Sequence, residues 1–98
     1  MSPIAKRLKS ARLEAGLSQE KLGVLAGIDE LSSSARMNQY EKGVHTPPIE
    51  LVRRFATVLN IPTEYFYTEC EDMAKIVVLV SKMNVQQRAE VIAYLEKI

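Results

Sequence analysis

A chain of 98 residues that is 47% apolar has material for one modest domain core, but not for a large enzyme pocket with several walls. It has no apolar run of about 18 residues and no apolar stretch near MSPIAKRLKS, so neither a membrane span nor a secretory signal is expected. The single cysteine, Cys70, excludes an internal disulfide or a cysteine-cluster metal site and fits a reducing cytoplasm, and the net charge of +1 hides an asymmetry: nine Lys/Arg against six Asp/Glu in residues 1–54, four against six in residues 55–98.

Ser2-Pro3 opens a first helix, Ser as N-cap and Pro at the first helical position, where its missing N–H costs nothing. Ile4, Leu8, Ala11 and Ala15 follow at helical spacing, with Leu13 on a flank, and Gly16 ends the helix. This helix carries Lys6, Arg7, Lys9 and Arg12 with no acid before Glu14, the pattern of a nucleic-acid footprint and equally of a solvated basic face. Ser18 caps a second helix with Glu20 in its first turn, where the helix dipole favours an acid. Leu22, Leu25 and Ala26 form its buried stripe, Gly27 stops it and Ile28 turns back to the core.

Asp29–Ser34 reads as a turn, because its three consecutive serines are better caps than helix-interior residues. Leu31 is placed in that turn as a hydrophobic plug. A third helix is predicted from about Ser33 to Lys42, anchored inward by Met37 and Tyr40 and stopped by Gly43. Its outer face is short, polar and uncharged apart from Arg36 and suits a helix lying in a DNA groove.

Thr46-Pro47-Pro48 forces an extended loop. A fourth helix from Ile49 to Asn60 buries Leu51, Val52, Phe55, Ala56 and Leu59, with Asn60 as a left-handed stop. Thr63 caps a short aromatic fifth helix holding Tyr65, Phe66 and Tyr67. From Glu71 a helix with Met73, Ile76, Val77, Val80 and Met83 on one face, widened by Leu79, is followed by one capped by Asn84. The inward residues of that last helix are Val85, Ala89, Ile92, Leu95 and Ile98, and the short link favours an antiparallel hairpin. Cys70 reads as a partly buried hydrophobe.

This order resembles the Cro and phage-repressor type of helix-turn-helix domain, the XRE family. The resemblance covers about residues 3–67 and rests on LSQEKLG, Gly27-Ile28, the Met37/Tyr40 pair, Glu41-x-Gly43 and LVRRFATVLNIPTEYF. It implies an all-α, five-helix lambda-repressor-like DNA-binding domain over residues 1–68, to which the helical spacing after Glu71 adds a C-terminal helical hairpin over 69–98, a dimerisation element or a packing partner of the first domain. Gly23 falls where the family takes Ala or Gly at a close helix crossing, and Arg12 and Glu41 match a family ion pair joining helix 1 to the end of helix 3. From Ile28 to Glu41 the chain is about four residues longer than the usual member, and the extra length is assigned to the turn before helix 3.

Counted back from Glu41, the resemblance puts Ser34, Ala35, Arg36, Asn38 and Gln39 against DNA bases. Gln or Asn can pair with adenine N6/N7, Arg with guanine O6/N7, and Ala or Ser can meet a thymine methyl. Gln19 matches a position that holds a phosphate and braces helix 3. Lys42, His45, Thr46 and Arg7 are further phosphate candidates.

The implied activity is sequence-specific binding of double-stranded DNA by a homodimer on a pseudo-palindromic operator, as a transcriptional repressor. An antitoxin-like or protein-interaction module with autoregulatory DNA binding is the alternative. His45 is the sole histidine, so neither a histidine metal site nor a Ser–His–Asp arrangement is available. No enzyme activity, cofactor or small-molecule ligand is expected.

Overall fold

The computed structural model describes residues 2–98. The chain is all-α: α1 (Ile4–Glu14), α2 (Gln19–Leu25), α3 (Glu30–Glu41), α4 (Ile49–Leu59), a 3₁₀ helix (Thr63–Tyr67), α5 (Glu71–Ser81) and α6 (Val85–Glu96). The start and stop signals act locally. Ser18 Oγ accepts the Lys21 N–H at 3.0 Å, and Ser2 Oγ accepts the Ile4 N–H at 3.3 Å. Asn84 and Gln87 exchange side-chain bonds with each other's backbone N–H in a capping box, at 2.8 and 3.0 Å. Asn60 ends α4 in the left-handed region at φ 54°. Thr63 makes no side-chain cap; the 3₁₀ helix begins after Pro62 without one.

The core joins α1, α2, α3, α4 and the 3₁₀ helix. Leu8, Leu22, Met37, Val52, Phe55 and Phe66 are all fully buried. The Tyr40 ring meets Phe55 edge-on at 6.5 Å. Arg54 Nε donates to Ala26 O at 2.7 Å, holding the end of α2 against α4. Leu25, expected in the buried stripe of α2, is 49% exposed, because Leu22 and Ala26 alone face the core.

Two expectations about chain layout are corrected. The turn between α2 and α3 is short, and residues 30–34 are helical. Asp29 is the cap, its Oδ2 accepting the Leu31 N–H at 3.1 Å, so the serines stand inside the helix. Leu31 plugs nothing; it is 96% exposed.

The second correction concerns the C-terminal helices. α5 is seated by Ala74, which is buried, and against the 3₁₀ helix. α6 buries none of its residues and does not pack along α5. Val85, Ala89, Ile92, Leu95 and Ile98, expected inward, face solvent, because the described residues offer no surface opposite them. The molecule is correspondingly long, 51 × 26 × 22 Å. Cys70 is exposed rather than partly buried.

Candidate nucleic-acid interface

The position of α3 is fixed from beneath. At Gly23 the α2 backbone approaches α3 so closely that a Cβ there would lie 2.0 Å from Ser33 Oγ and 2.9 Å from Met37 Cγ. Ser33 is fully buried and its Oγ donates to Glu20 O at 2.9 Å. An interior serine thus finds in α2 both the space left by a glycine and an acceptor for its hydroxyl. Ser33, Met37 and Tyr40 form one inward stripe at spacings of four and three. That spacing is present in the sequence, but a run of serines suits a cap equally well, so the spacing does not by itself mark Ser33 as buried.

A second fastening holds the far end of α3. Arg12 Nε and Nη2 donate to the two carboxylate oxygens of Glu41 at 2.6 and 2.9 Å, and Arg12 Nη1 donates to Leu17 O at 3.0 Å. Only 11% of the Arg12 side chain and 3% of the Glu41 side chain reach solvent. The hydrogen bonds to Glu41 push the Arg12 pKa further up, so this guanidinium keeps its charge at any pH the fold survives. The bidentate fork sets distance and angle at once, which a lysine could not do. Gln19 joins the same cluster, its Nε2 donating to Glu41 Oε1 at 3.2 Å and to Asn38 Oδ1 at 3.4 Å. Gln19 is half-buried here and braces α3 directly.

At about 100° per residue, Leu31, Ala35, Asn38 and Lys42 share an outward sector of about 60°, opposite Ser33 and Tyr40. Gln39 borders this sector. Ala35, Gln39 and Lys42 are exposed and Asn38 is half-buried against Gln19. Ser34, exposed, borders the opposite edge at the same angle as Gln39, and Arg36, also exposed, lies further round beside Tyr40. The Arg36 guanidinium rests over the Tyr40 ring, 5.7 Å from its centroid, and Nη2 bonds Tyr40 Oη at 2.7 Å. Among the candidates for base contact, Ala35 and Asn38 are therefore the most directly aimed, with Ser34 and Gln39 at the two edges. His45 and Thr46 are exposed in the loop after α3. Gly43, at φ 75°, lets the chain turn there, and Val44 N–H returns to Gln39 O at 3.0 Å.

Arg7 has a different place from the one expected. It is 2% exposed and points inward. Its Nε donates to Thr68 O at 2.8 Å, Nη2 to Glu69 O at 3.1 Å and Nη1 to Glu71 Oε2 at 2.8 Å, and the guanidinium lies over the Tyr65 ring. With its donors spent on carbonyls and a carboxylate, Arg7 is unavailable to a phosphate. It fastens the start of α5 to α1 instead. Lys6 Nζ reaches the same carboxylate at 2.6 Å. Lys6 and then Arg7 hold the Glu71 carboxyl below its ordinary value. Arg12 turns inward as well, but nothing local marks Arg7 as buried, since its partners lie more than sixty residues away.

A profile of the family described as helix-turn-helix domain matches residues 3–64. Two uncharacterized HTH-type transcriptional regulators, from Sinorhizobium medicae (strain WSM419) and Rhizobium meliloti (strain 1021), are each 29% identical over 66 residues. The match spans 67% of this chain and 45% of each relative, less than half of their length. A crystal structure of the transcriptional regulator BswR is similar to this fold with a TM-score of 0.88 and 39% identity, over 96% of this chain and 93% of that one.

Proposed function

The chain belongs to the helix-turn-helix domain family, and from that premise we propose that it is a DNA-binding transcriptional regulator working in the cytoplasm. In this reading it acts as a repressor that binds a pseudo-palindromic operator as a homodimer. The observation that carries the proposal is the two-sided character of α3. Its inner side is immobilised by Gly23, Ser33, Met37 and the Arg12–Glu41 fork, while its outer side holds short polar groups in water. A fixed helix with a polar outer face is what reading base edges in a major groove requires, and Asn38 gives up its bond from Gln19 to do so.

Ala35 and Asn38 are assigned to bases at the centre of the face, with Ser34 and Gln39 reaching bases from its two edges. Arg36 reaches a base only by leaving the Tyr40 ring. Lys42, His45 and Thr46 are assigned to the phosphate backbone beyond α3, and Gln19 to the phosphate beside the start of α2. Residues 1–68 form the reading unit and residues 69–98 the pairing unit.

Pairing is supported by the apolar surface that α5 and α6 leave in water, including Ile76, Leu79, Ile92, Leu95 and Ile98. Residues scattered singly would need no explanation, but several on consecutive helices mark an interaction face. A groove between α1 and α5, lined in part by Ala11, Leu59, Val78 and Leu79, is open to receive a helix from a second copy.

Selection of bound duplexes from a random-sequence pool tests the assignment. An enriched inverted repeat, with half-sites about one helical turn apart, is the expected result. Affinity for it should fall steeply with salt, the logarithm dropping by about 0.9 per phosphate neutralised for each tenfold rise. Absence of any enriched site, or salt-independent binding, refutes the DNA assignment. Sedimentation of the Ile92→Asp/Leu95→Asp variant should give a monomer where the parent gives a dimer. A parent that is itself monomeric refutes the pairing assignment and leaves the apolar face to a different protein partner.

A further inference from the structure

We propose that Leu31 is a specificity-determining residue that recognises the C5 methyl group of a thymine in the operator half-site. The assignment rests on the DNA-reading role proposed for α3 and extends it to a residue outside the polar set.

Leu31 is the most exposed large apolar side chain among the described residues, at 96%. An exposed leucine alone says little, since much of any protein surface is apolar. Its address on the helix makes the difference. It stands one turn before Ala35, two turns before Asn38 and three before Lys42, in the same outward sector. The Asp29 cap starts the helix at Glu30, so Leu31 is held in the first turn rather than in a loose connection. A helix lying in the major groove leads with its N-terminal residues, so a groove that receives Ala35 and Asn38 also receives Leu31.

The surroundings favour this occupant over a second protein. Leu31 has no large apolar neighbour in its own row of α3, only Ala35, Asn38 and Lys42. Glu30, the acid beside it, lines a groove with Ser18, Lys21 and Val24 and falls outside the outward sector, whose single charge is Lys42, three turns away. In the major groove the only apolar feature a base pair displays is the thymine methyl. A branched aliphatic side chain there gains by covering that methyl, and loses nothing it had in water except exposure.

The test uses the full chain and the duplex it selects. Each thymine of the half-site is replaced in turn by deoxyuridine, which removes the methyl group and keeps every hydrogen bond. One replacement should weaken the parent protein roughly fivefold, the scale of one buried methyl. The Leu31→Ala variant should bind the unmodified duplex more weakly by a similar factor and be indifferent to that same replacement. Its thermal unfolding should match the parent, because the side chain touches nothing.

If the parent selects a site but no thymine-to-deoxyuridine change distinguishes it from Leu31→Ala, the assignment of Leu31 is overturned while the DNA reading stands. A Leu31→Ala variant that binds DNA like the parent but sediments differently overturns it in favour of a protein contact. A parent that selects no site removes the DNA reading and this assignment together.

Discussion

Replacing Gly23 by alanine should destabilise the protein, although the same change in an open helix would stabilise it. By propensity alone, Gly→Ala inside α2 gains about 1 kcal/mol. The new Cβ, however, lies 2.0 Å from Ser33 Oγ, 2.9 Å from Met37 Cγ and 3.2 Å from Ser33 Cβ. Ser33 is fully buried, so its hydroxyl must rotate away from Glu20 O, losing a bond worth about 0.5–1.5 kcal/mol. Met37 must also move, and overpacking of this kind costs roughly 1–3 kcal/mol. The balance is a net loss of about 1–3 kcal/mol, or a fall of about 5–15 °C in Tm for a domain of this size. Thermal and urea unfolding followed by circular dichroism measures it. Because α2 and α3 must separate, DNA affinity should fall as well. The Gly23→Ala/Ser33→Gly double variant exchanges the two Cβ atoms across the contact and should recover most of the lost coupling between positions 23 and 33. A Gly23→Ala protein that melts at or above the parent temperature would refute the claim that this contact sets the α2–α3 spacing.

The remaining predictions concern the fastenings. Arg7→Ala should cost about 2–4 kcal/mol, since each hydrogen bond from a charged donor is worth about 1.5–3 kcal/mol and one of the three partners, Glu71, is well solvated. Arg7→Lys should recover less than half of it, and hydrogen exchange should accelerate at residues 68–74 in both variants. Glu41→Ala should cost roughly 3–5 kcal/mol by leaving Arg12 buried without its carboxylate, whereas the Arg12→Met/Glu41→Leu double variant should cost less than either single change; unfolding curves of the three variants check the order. The Glu71 carboxyl titrates below its ordinary value of 4.5, with Lys6 the larger cause and Arg7 the second. A depressed carboxylate contributes stability that is fully present above its unfolded pKa and lost as pH falls through its folded pKa. The α1–α5 tether should therefore hold through neutral pH and loosen only in solution more acidic than 4.5. A carboxyl-detected NMR titration of Glu71 shows this directly, and a midpoint at or above 4.5 would contradict it.

Several site residues were legible because their signals are short-range or carried by a motif. Glu41-x-Gly43 and Met37/Tyr40 fixed the register of the second half of α3, and Arg12 followed from the family pattern. Two other features were not. The start of α3 was misplaced because a run of serines has the same local chemistry at a cap and inside a helix. What decided between them was Gly23, ten residues before Ser33, which leaves room for that side chain, together with the Glu20 carbonyl that accepts its hydroxyl. The same early helical start turns Leu31 outward instead of into the turn.

By itself the sequence determined the all-α class, the helix stops at Gly16, Gly27, Gly43 and Asn60, and the caps at Ser18 and Asn84. These depend on side chains and backbone groups within a few residues of one another, so their geometry is written locally. Only the tertiary structure decided that Arg7 of α1 turns inward, where α3 begins, and that α6 finds no surface among the described residues. Each of these depends on groups brought together from distant positions. Arg7 is buried because the carbonyls of Thr68 and Glu69 and the Glu71 carboxylate converge on it, and α6 is exposed because no segment among the described residues covers its apolar side.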